Sequence, residues 1–557
     1  MHGQQVNARK ESVDSEVILT VPDRTRRAFC KQVGLAACAG LFGLTCRARG
    51  VPGAATPSKP NIIFIFSDDL SYRDLSAYGQ QHFATPALDK LAEGGIRFTQ
   101  AYSGSSECAP ARASLMTGMH MGHCTVRANR SVRGQDHLTS EDVTVAEVLK
   151  QAGYATAFIG KWGIGLPGTE GTPDRQGFDL AYGYYDQSRA HGFFPHWMMK
   201  NGRVVPIPEN YGFNMKRVYQ YNARPVDNLD GVENTYDAKG RLIPDGVQDP
   251  CRAKYSEDLF QQQALGFIRE HFDTPFFLYY ATQLPHGPCI IPDLGAYRDK
   301  PWSLKHREWA AMVARMDRSV GSMVTLLENL GILENTVIFF AGDNGYSQWG
   351  YFHRPRWEDD PLFHNKGPWP RGKFTCTHEG GVRVPLFVYW KGRIQAGESG
   401  HVCALYDFLA TAADIAGVAP PETDGLSLLP TLIGNPDRQK KHPYLYWESG
   451  SQSRHAQSVR MGRWWAYRPH PSRPLELYDI TKDVNCENDL AERRPDVSRK
   501  VLDIFKEAHV DSAWYVNPGE SEGVIAEKKK KAKQVEARTG LSQRPVGPNS
   551  RFLPRNR

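Results

Sequence analysis

The 557-residue chain is predicted to be an α/β protein, with a large mixed, mostly parallel β-sheet sandwiched by helices and a small α+β subdomain at the C-terminal end. Three observations carry this prediction. Short apolar runs without polar alternation recur along the chain, as expected of strands buried on both faces. Segments of helical period lie between them over roughly 400 residues, the pattern of strand–helix alternation in a parallel sheet. From about residue 440 the pieces become shorter and strand-like, which marks a change of architecture.

Taken in order, the first strand is "NIIFIFSDDL" (61–70), after a Pro/Ala/Thr-rich joint at 51–60. Further core strands are "ATAFIG" (155–160), "FFLYYAT" (276–282), "TVIFFAGDNG" (336–345) and "VPLFVYW" (384–390). The helical segments are "ALDKLAEGG" (87–95), "TVAEVLKQAG" (144–153), "DLFQQQALGFIREH" (258–271) and "MVARMDRSVGSMVTLLENLG" (312–331), with glycine as a stop signal in three of them. The C-terminal subdomain, 441–515, contains "YLYWES", "QSVRMGRWWAYR" and "LELYDITKD", then a helix around 496–509. Residues 516–557, with "EKKKKAK" at 527–533, lack apolar periodicity and are predicted to be a disordered basic tail, for which a nucleic-acid or membrane contact is the functional alternative.

The formal charge of +7 is concentrated at the ends. Residues 1–50 carry +4 and residues 521–557 carry +7, which leaves −4 for residues 51–520. The body therefore has no global nucleic-acid signature, and any preference for an anion must be local. Residues 1–50 read as a signal peptide: Arg26 and Arg27 precede an apolar run from Val33 to Cys46 that is too short for a bilayer span. The arginine pair resembles a twin-arginine export signal, so the protein is expected to be exported, periplasmic or extracellular. "LAAC" (35–38) has the composition of a lipid-attachment signal, early in the run. Three of the ten cysteines (Cys30, Cys38, Cys46) fall in this segment, and the others form no CxxC pair or His/Cys ladder of a zinc site.

The chemistry lies at strand ends. Asp68 and Asp69 close the first strand, and Asp343 and Asn344 close a later one; ligands of open α/β sheets sit beyond such carboxyl ends. Crowded carboxylates repel one another unless a cation joins them, and an all-oxygen set suits a hard ion, Ca²⁺ or Mg²⁺. A third element is "CAPARASLMTG" (108–118), in which a cysteine is followed by a proline and then an arginine at fixed spacing.

These stretches together resemble the type I sulfatases of the alkaline phosphatase superfamily, whose signature Cys-x-Pro-x-Arg matches Cys108-Ala109-Pro110-Ala111-Arg112, followed by Leu115, Thr117 and Gly118. The resemblance runs from about residue 60 to about 510. It implies that a separate formylglycine-generating enzyme oxidises Cys108 to Cα-formylglycine, whose hydrate attacks sulfur with one hydroxyl and releases sulfate through the other. It further implies a metal set of Asp68, Asp69, the modified Cys108, Asp343 and Asn344. Arg112 stabilises the hydrate, Lys161 ("GKWG") and Lys373 ("RGKFTCTHEGG") hold the sulfate, and Lys373 or His286 ("LPHGP") assists the leaving oxygen.

One departure stands out. Many family members have Lys-Trp-His where this chain has Lys161-Trp162-Gly163, so another group must replace that base or the rate must fall. "SRAHGFFPHW" (188–197) resembles a subset acting on sulfated sugars, which makes His191, His196 and Trp197 the expected sugar contacts. The implied substrate is a sulfated sugar or an aryl sulfate. The rivals are a phosphodiester or phosphonate monoester hydrolase on the same scaffold, and a non-catalytic binder of sulfated glycans.

Overall fold

The computed structural model describes residues 59–211, 236–242, 253–347, 359–375, 378–449, 455–517 and 519–539. The predicted signal peptide, the lipid-attachment-like "LAAC" and the last residues of the basic tail lie outside the described residues. Ten strands form the main sheet: β1 (Asn61–Asp68), β2 (Ile96–Phe98), β3 (Ala155–Lys161), β4 (Leu180–Tyr184), β5 (Trp197–Lys200), β6 (Arg203–Pro206), β7 (Phe276–Pro285), β8 (Thr336–Gly342), β9 (Leu386–Trp390) and β10 (Gly397–Ser399). Their spatial order is β10-β2-β9-β8-β1-β7-β3-β4-β5-β6. The central five, β8-β1-β7-β3-β4, are mutually parallel. Antiparallel pairings occur only toward the edges, at β8–β9, β9–β2, β4–β5 and β5–β6.

The absence of alternation in the apolar runs has its cause here. All eight residues of β1 are buried, with Ile63 and Ile65 packing into one core and Ile62, Phe64 and Phe66 into the other. Helices Pro86–Glu93, Ser256–Glu270 and Leu304–Asn329 contribute to the first core, and Cys108–Thr117, Val145–Gln151 and Asp407–Ala416 to the second. The long helix begins at Leu304, eight residues before the apolar period used to predict it, because Ser303 caps it by accepting from His306 N.

"QSVRMGRWWAYR" is two strands, β12 (Gln457–Met461) and β13 (Trp464–Arg468), joined through Gly462 at φ +58°. With β11 (Leu445–Glu448) and β14 (Glu476–Asp479) they form an antiparallel meander, against which helix Pro495–Glu507 packs.

The disorder expected for residues 516–557 is corrected over Glu522–Thr539. Glu522–Thr539 is a helix, on which Ala532 is buried and Lys528 donates to the carbonyls of Ser512 (2.8 Å) and Tyr515 (2.7 Å). Lysine, glutamate and alanine are good helix formers, and one docked turn stabilises the rest although the stripe is not apolar. Among the described residues no helix is long and apolar enough to cross a membrane, and Cys108, Cys124, Cys289, Cys403 and Cys486 are free thiols.

Candidate active site

Four neighbouring parallel strands deliver the predicted residues to one place. In spatial order, β8 is followed by Asp343 and Asn344, β1 ends at Asp68 before Asp69, β7 leads into His286, and β3 ends in Lys161. Asp343 N donates to Ser67 O (2.9 Å), which extends the β1–β8 ladder by one bond and holds the two acidic pairs side by side. Asp69 has φ +63°, a left-handed turn that redirects the chain as it leaves the sheet; its N–H donates to Asp343 Oδ1 at 3.0 Å.

Helix Cys108–Thr117 covers this end of the sheet, with every residue buried. The small residues of "CAPARAS" follow from that burial: a Cβ on Gly104 would lie 2.0 Å from Ser114 Oγ, so the helix leaves no room for bulk. Cys108 is its first residue, and Arg112 follows four residues later on the same face. Arg112 donates to Asp343 Oδ2 (2.9 Å) and to Lys161 O (2.7 Å), and lies 3.6 Å from Asp68 Oδ1. Lys161 Nζ donates to Asp68 Oδ2 at 2.6 Å. Lys373 Nζ donates to Asp69 Oδ1 and lies 3.1 Å from Cys108 Sγ. Asp69 also accepts from Asn344 Nδ2 (2.9 Å) and Ser347 Oγ (3.0 Å). All of the predicted catalytic and metal residues are therefore brought together.

The electrostatics are those of a dry, densely charged site. Burial pushes the Cys108 thiol up to about 12, against the pull of Lys161 and Lys373. Burial also raises Asp343 to about 7, assisted by Asp68. Burial works in the same direction on Asp68, yet Lys161, His286, Arg112 and Lys373 outweigh it and hold that carboxylate well below its usual range. Lys373 is held well above its usual value: burial disfavours its charge, but Asp69 and its neighbours more than compensate. Burial depresses His286 to about 4 despite Asp69, so its imidazole is neutral at physiological pH.

The arrangement tests whether a cation fits. Ligand atoms of Asp68, Asp69, Cys108 and His286 all lie within 4.8 Å of one another. Asp68 Oδ1 and Asn344 Oδ1 are buried and accept no hydrogen bond. His286 Nδ1 faces Gly287 O, so a neutral ring donates there and leaves the Nε2 lone pair 3.4 Å from Asp69 Oδ2. Unsatisfied oxygens and opposed lone pairs are costly in a buried site and are relieved by a cation. The residues fit one.

A second His/Asp cluster follows the same helix. His120 and His123 stack at 4.2 Å, His123 Nδ1 lies 3.0 Å from both Asp424 oxygens, and His120 Nε2 lies 3.8 Å from Asp424 Oδ2. His120 Nδ1 accepts from Gly122 N (3.1 Å), which assigns the proton of the neutral ring to Nε2.

Of the expected sugar contacts, His191 stacks on His286 at 4.2 Å with an interplanar angle of 6°. His196 packs against the Tyr211 ring at 5.7 Å, and the Arg189 guanidinium covers one face of Trp197 at 3.3 Å. Sequence reasoning missed Ser347, Asn129 and Gln187. Asn129 connects the helix start by accepting from Ala109 N (3.1 Å) and donating its N–H to Glu107 Oε2 (3.2 Å). Gln187 explains Gly163: at φ +77°, a Cβ there would lie 2.4 Å from Gln187 Oε1 and 3.6 Å from Arg112 Cδ. The space beside residue 163 thus belongs to an amide from the 185–192 loop.

A family model described as Sulfatase matches residues 60–418. The chain is 31% identical over 537 residues to Arylsulfatase A of Homo sapiens, covering 89% of this chain and 96% of that protein. It is 31% identical to N-acetylgalactosamine-6-sulfatase of Canis lupus familiaris over 70% of this chain and 69% of that protein. Among solved structures, Ps i-CgsB in complex with k-i-k-neocarrahexaose is similar at TM-score 0.64 and 25% identity, covering 87% of this chain and 99% of that one. The convergence of four strand ends under one buried helix, together with these likenesses, leads to one conclusion: the chain belongs to the sulfatase family, with an alkaline phosphatase-like fold, and is a sulfuric ester hydrolase.

Proposed function

We propose that the enzyme releases inorganic sulfate from a sulfated carbohydrate, using Cα-formylglycine formed from Cys108 and a divalent cation, Ca²⁺ or Mg²⁺. The observation that carries this reading is the position of Cys108 Sγ, buried at a helix start, 3.1 Å from Lys373 Nζ and within ligand range of Asp68, Asp69 and His286. Sγ stands where the oxygens of the modified side chain would be. Asp68, Asp69, Asp343 and Asn344 would hold the cation, an all-oxygen set suited to a hard ion. When bound, the cation and the hydrated aldehyde supply charge neutralisation and an activated hydroxyl nucleophile, which a thiol raised to about 12 does not.

The remaining roles belong to the chain's own side chains. Lys161 and Lys373 bind the sulfate oxygens, the latter firmly cationic and able to donate a proton to the departing alcohol oxygen. His286, neutral and donating through Nδ1, offers Nε2 as an acceptor for a hydroxyl proton at position 108; this assigns it the accepting half of the exchange. His191 holds the His286 ring plane and lines the substrate side. Arg112 fixes Asp343 and the end of β3 relative to the nucleophile. A carbohydrate substrate is supported by relatives named for N-acetylgalactosamine-6-sulfate hydrolysis and by the neighbour solved with a neocarrahexaose. The twin-arginine-like leader supports export through that machinery, and the Cys-x-Pro-x-Arg motif supports maturation by a formylglycine-generating enzyme.

The test is mass spectrometry of the peptide containing residue 108 after co-expression with that enzyme, then a panel of sulfated sugars alongside an aryl sulfate and an aryl phosphodiester. The aldehyde mass and sulfate release from a sugar are expected. Unmodified thiol with no sulfate release, or faster turnover of the phosphodiester, overturns the reading.

A further inference from the structure

We propose that helix Glu522–Thr539 is a docking face for the polymer chain that carries the scissile sulfate, an extended sulfated polysaccharide. This rests on the carbohydrate reading above and adds a second contact, outside the reaction centre.

At 3.6 residues per turn, Lys529, Lys530 and Lys533 fall on one stripe of the helix about 100° wide, and all three are exposed. Glu522 shares that stripe at the opposite end of the helix. Lys528, Lys531 and Ala532 lie on the other side, which faces the body: Lys528 is tied to Ser512 O, Tyr515 O and Glu520, Lys531 lies 5.4 Å over the Trp514 ring, and Ala532 is buried. The cationic stripe is therefore fixed in orientation rather than carried on a free tail.

The anchoring segment connects to the site. The same Trp514 ring is covered by Arg133 at 4.5 Å, and its carbonyl accepts from Val132 N at 3.1 Å. Tyr515 Oη accepts from Arg127 N (2.7 Å) and Ala128 N (3.0 Å) and donates to Asp136. The 127–136 segment so held contains Asn129, which accepts from the Ala109 amide and donates its own N–H to the Glu107 carboxylate on either side of Cys108, and Gln135, whose Oε1 accepts from Gln187 N at 2.9 Å. The helix bearing the lysine stripe is thus linked through Trp514, Tyr515 and the 127–136 segment to the start of the helix bearing Cys108. Residues 51–520 carry a net −4, so a polyanionic substrate gains no attraction from the body as a whole and must be drawn by a local cationic face. Three exposed lysines on one stripe of the anchored helix match the repeating negative charge of a sulfated polymer.

The experiment uses the full chain and a Lys529→Gln/Lys530→Gln/Lys533→Gln variant, with a Lys→Arg triple variant as charge-preserving control and thermal melting to confirm folding. Binding to immobilised chondroitin sulfate and carrageenan chains is measured from low to physiological salt, and turnover of a sulfated monosaccharide is followed in parallel. The Gln variant is expected to bind the sulfated polymers at least about tenfold more weakly with a flatter salt dependence, while the Arg variant binds as the parent does. Monosaccharide turnover stays within about twofold in all three. Equal polymer binding by the Gln variant overturns the proposal, as does parent binding to duplex DNA or anionic vesicles as tight as to sulfated chains. Because binding is read without turnover, a chain that hydrolyses no sulfate but loses polymer binding on substitution would overturn the catalytic reading and keep this one.

Discussion

Among the described residues, two clusters bring histidine and aspartate ligand atoms within 4.8 Å, and they are chemically opposite. Around Asp68, Asp69 and His286, buried oxygens are left without donors and a histidine lone pair faces a carboxylate, while the fixed charges of Lys161, Arg112 and Lys373 surround them. Around His120, His123 and Asp424, the polar atoms satisfy one another: the Gly122 amide occupies His120 Nδ1, His123 bonds the carboxylate, and His120 N donates to Asp424 Oδ2 at 2.9 Å. Proximity of ligand atoms is common to both. Spare acceptor capacity is what distinguishes a cation site from a structural clamp.

The largest effect that would break this contrast is at the nucleophile. Cys108→Ala is expected to lower kcat on the order of 10⁴-fold or more, as for removal of a covalent catalyst, with the melting temperature little changed. Residual turnover near the parent rate would move the chemistry elsewhere. Arg112→Met comes next: it strands Asp343 and Asp68 in a buried site, and breaking such a pair costs roughly 3–5 kcal/mol, read as a fall in denaturation midpoint.

Cation removal sharpens the comparison most directly. Chelation of the parent is expected to lower its melting temperature, and Ca²⁺ at about 100 times its dissociation constant to restore about 2.7 kcal/mol. Asp69→Asn should abolish that response, whereas Asp424→Asn should leave it intact. A lost response in the Asp424 variant would mean that the second cluster holds the ion.

Gly163→Ala is expected to cost roughly 1–3 kcal/mol, from positive φ and from the Gln187 amide 2.4 Å away. Combining it with Gln187→Ala should recover the steric part in a double-mutant cycle. Strict additivity would show that the glutamine does not fill that space.

The smallest effect belongs to the clamp. The Asp424 hydrogen bond raises His123 above its ordinary value, so its contribution is fully present below about pH 6.5 and fades as pH rises through the raised value. His123 is exposed, which limits the contribution to a few tenths of a kcal/mol. Buried His120, lowered to about 4, acts in the opposite sense between about pH 6.5 and 4, because charging it costs stability there. The difference between parent and His123→Gln, measured by melting across that range, isolates the first term; a difference that grows above neutral pH would contradict it.

How much of this was legible in the sequence follows from which signals are local. β1, β3, β7 and β8 were readable because strands buried on both faces need continuous apolar runs; the acidic residues closing β1 and β8 were then marked as a site by position and charge, whereas Lys161 and His286 came only from the family resemblance. β2, β5, β6 and β10 were not foreseen: they are three or four residues long and take their pairing from neighbours, so little in their own composition identifies them. Gln187 and Ser347 escaped for a different reason. Glutamine and serine are ordinary loop residues, and only the return of those loops to β3 and β1 gives them partners at the centre. The docked C-terminal helix was misjudged because its seat is a pair of carbonyls and a tryptophan ring, none of which leaves an apolar stripe to detect.

The complete enclosure of helix Cys108–Thr117 imposes a sequence of events in time. No other protein can reach a side chain that is 1% exposed beneath a closed fold, so the maturation proposed for Cys108 requires a nascent or still open chain. Were the chain exported already folded, that deadline would fall in the compartment of synthesis. A molecule that closes too early would arrive at its destination well formed and permanently inert.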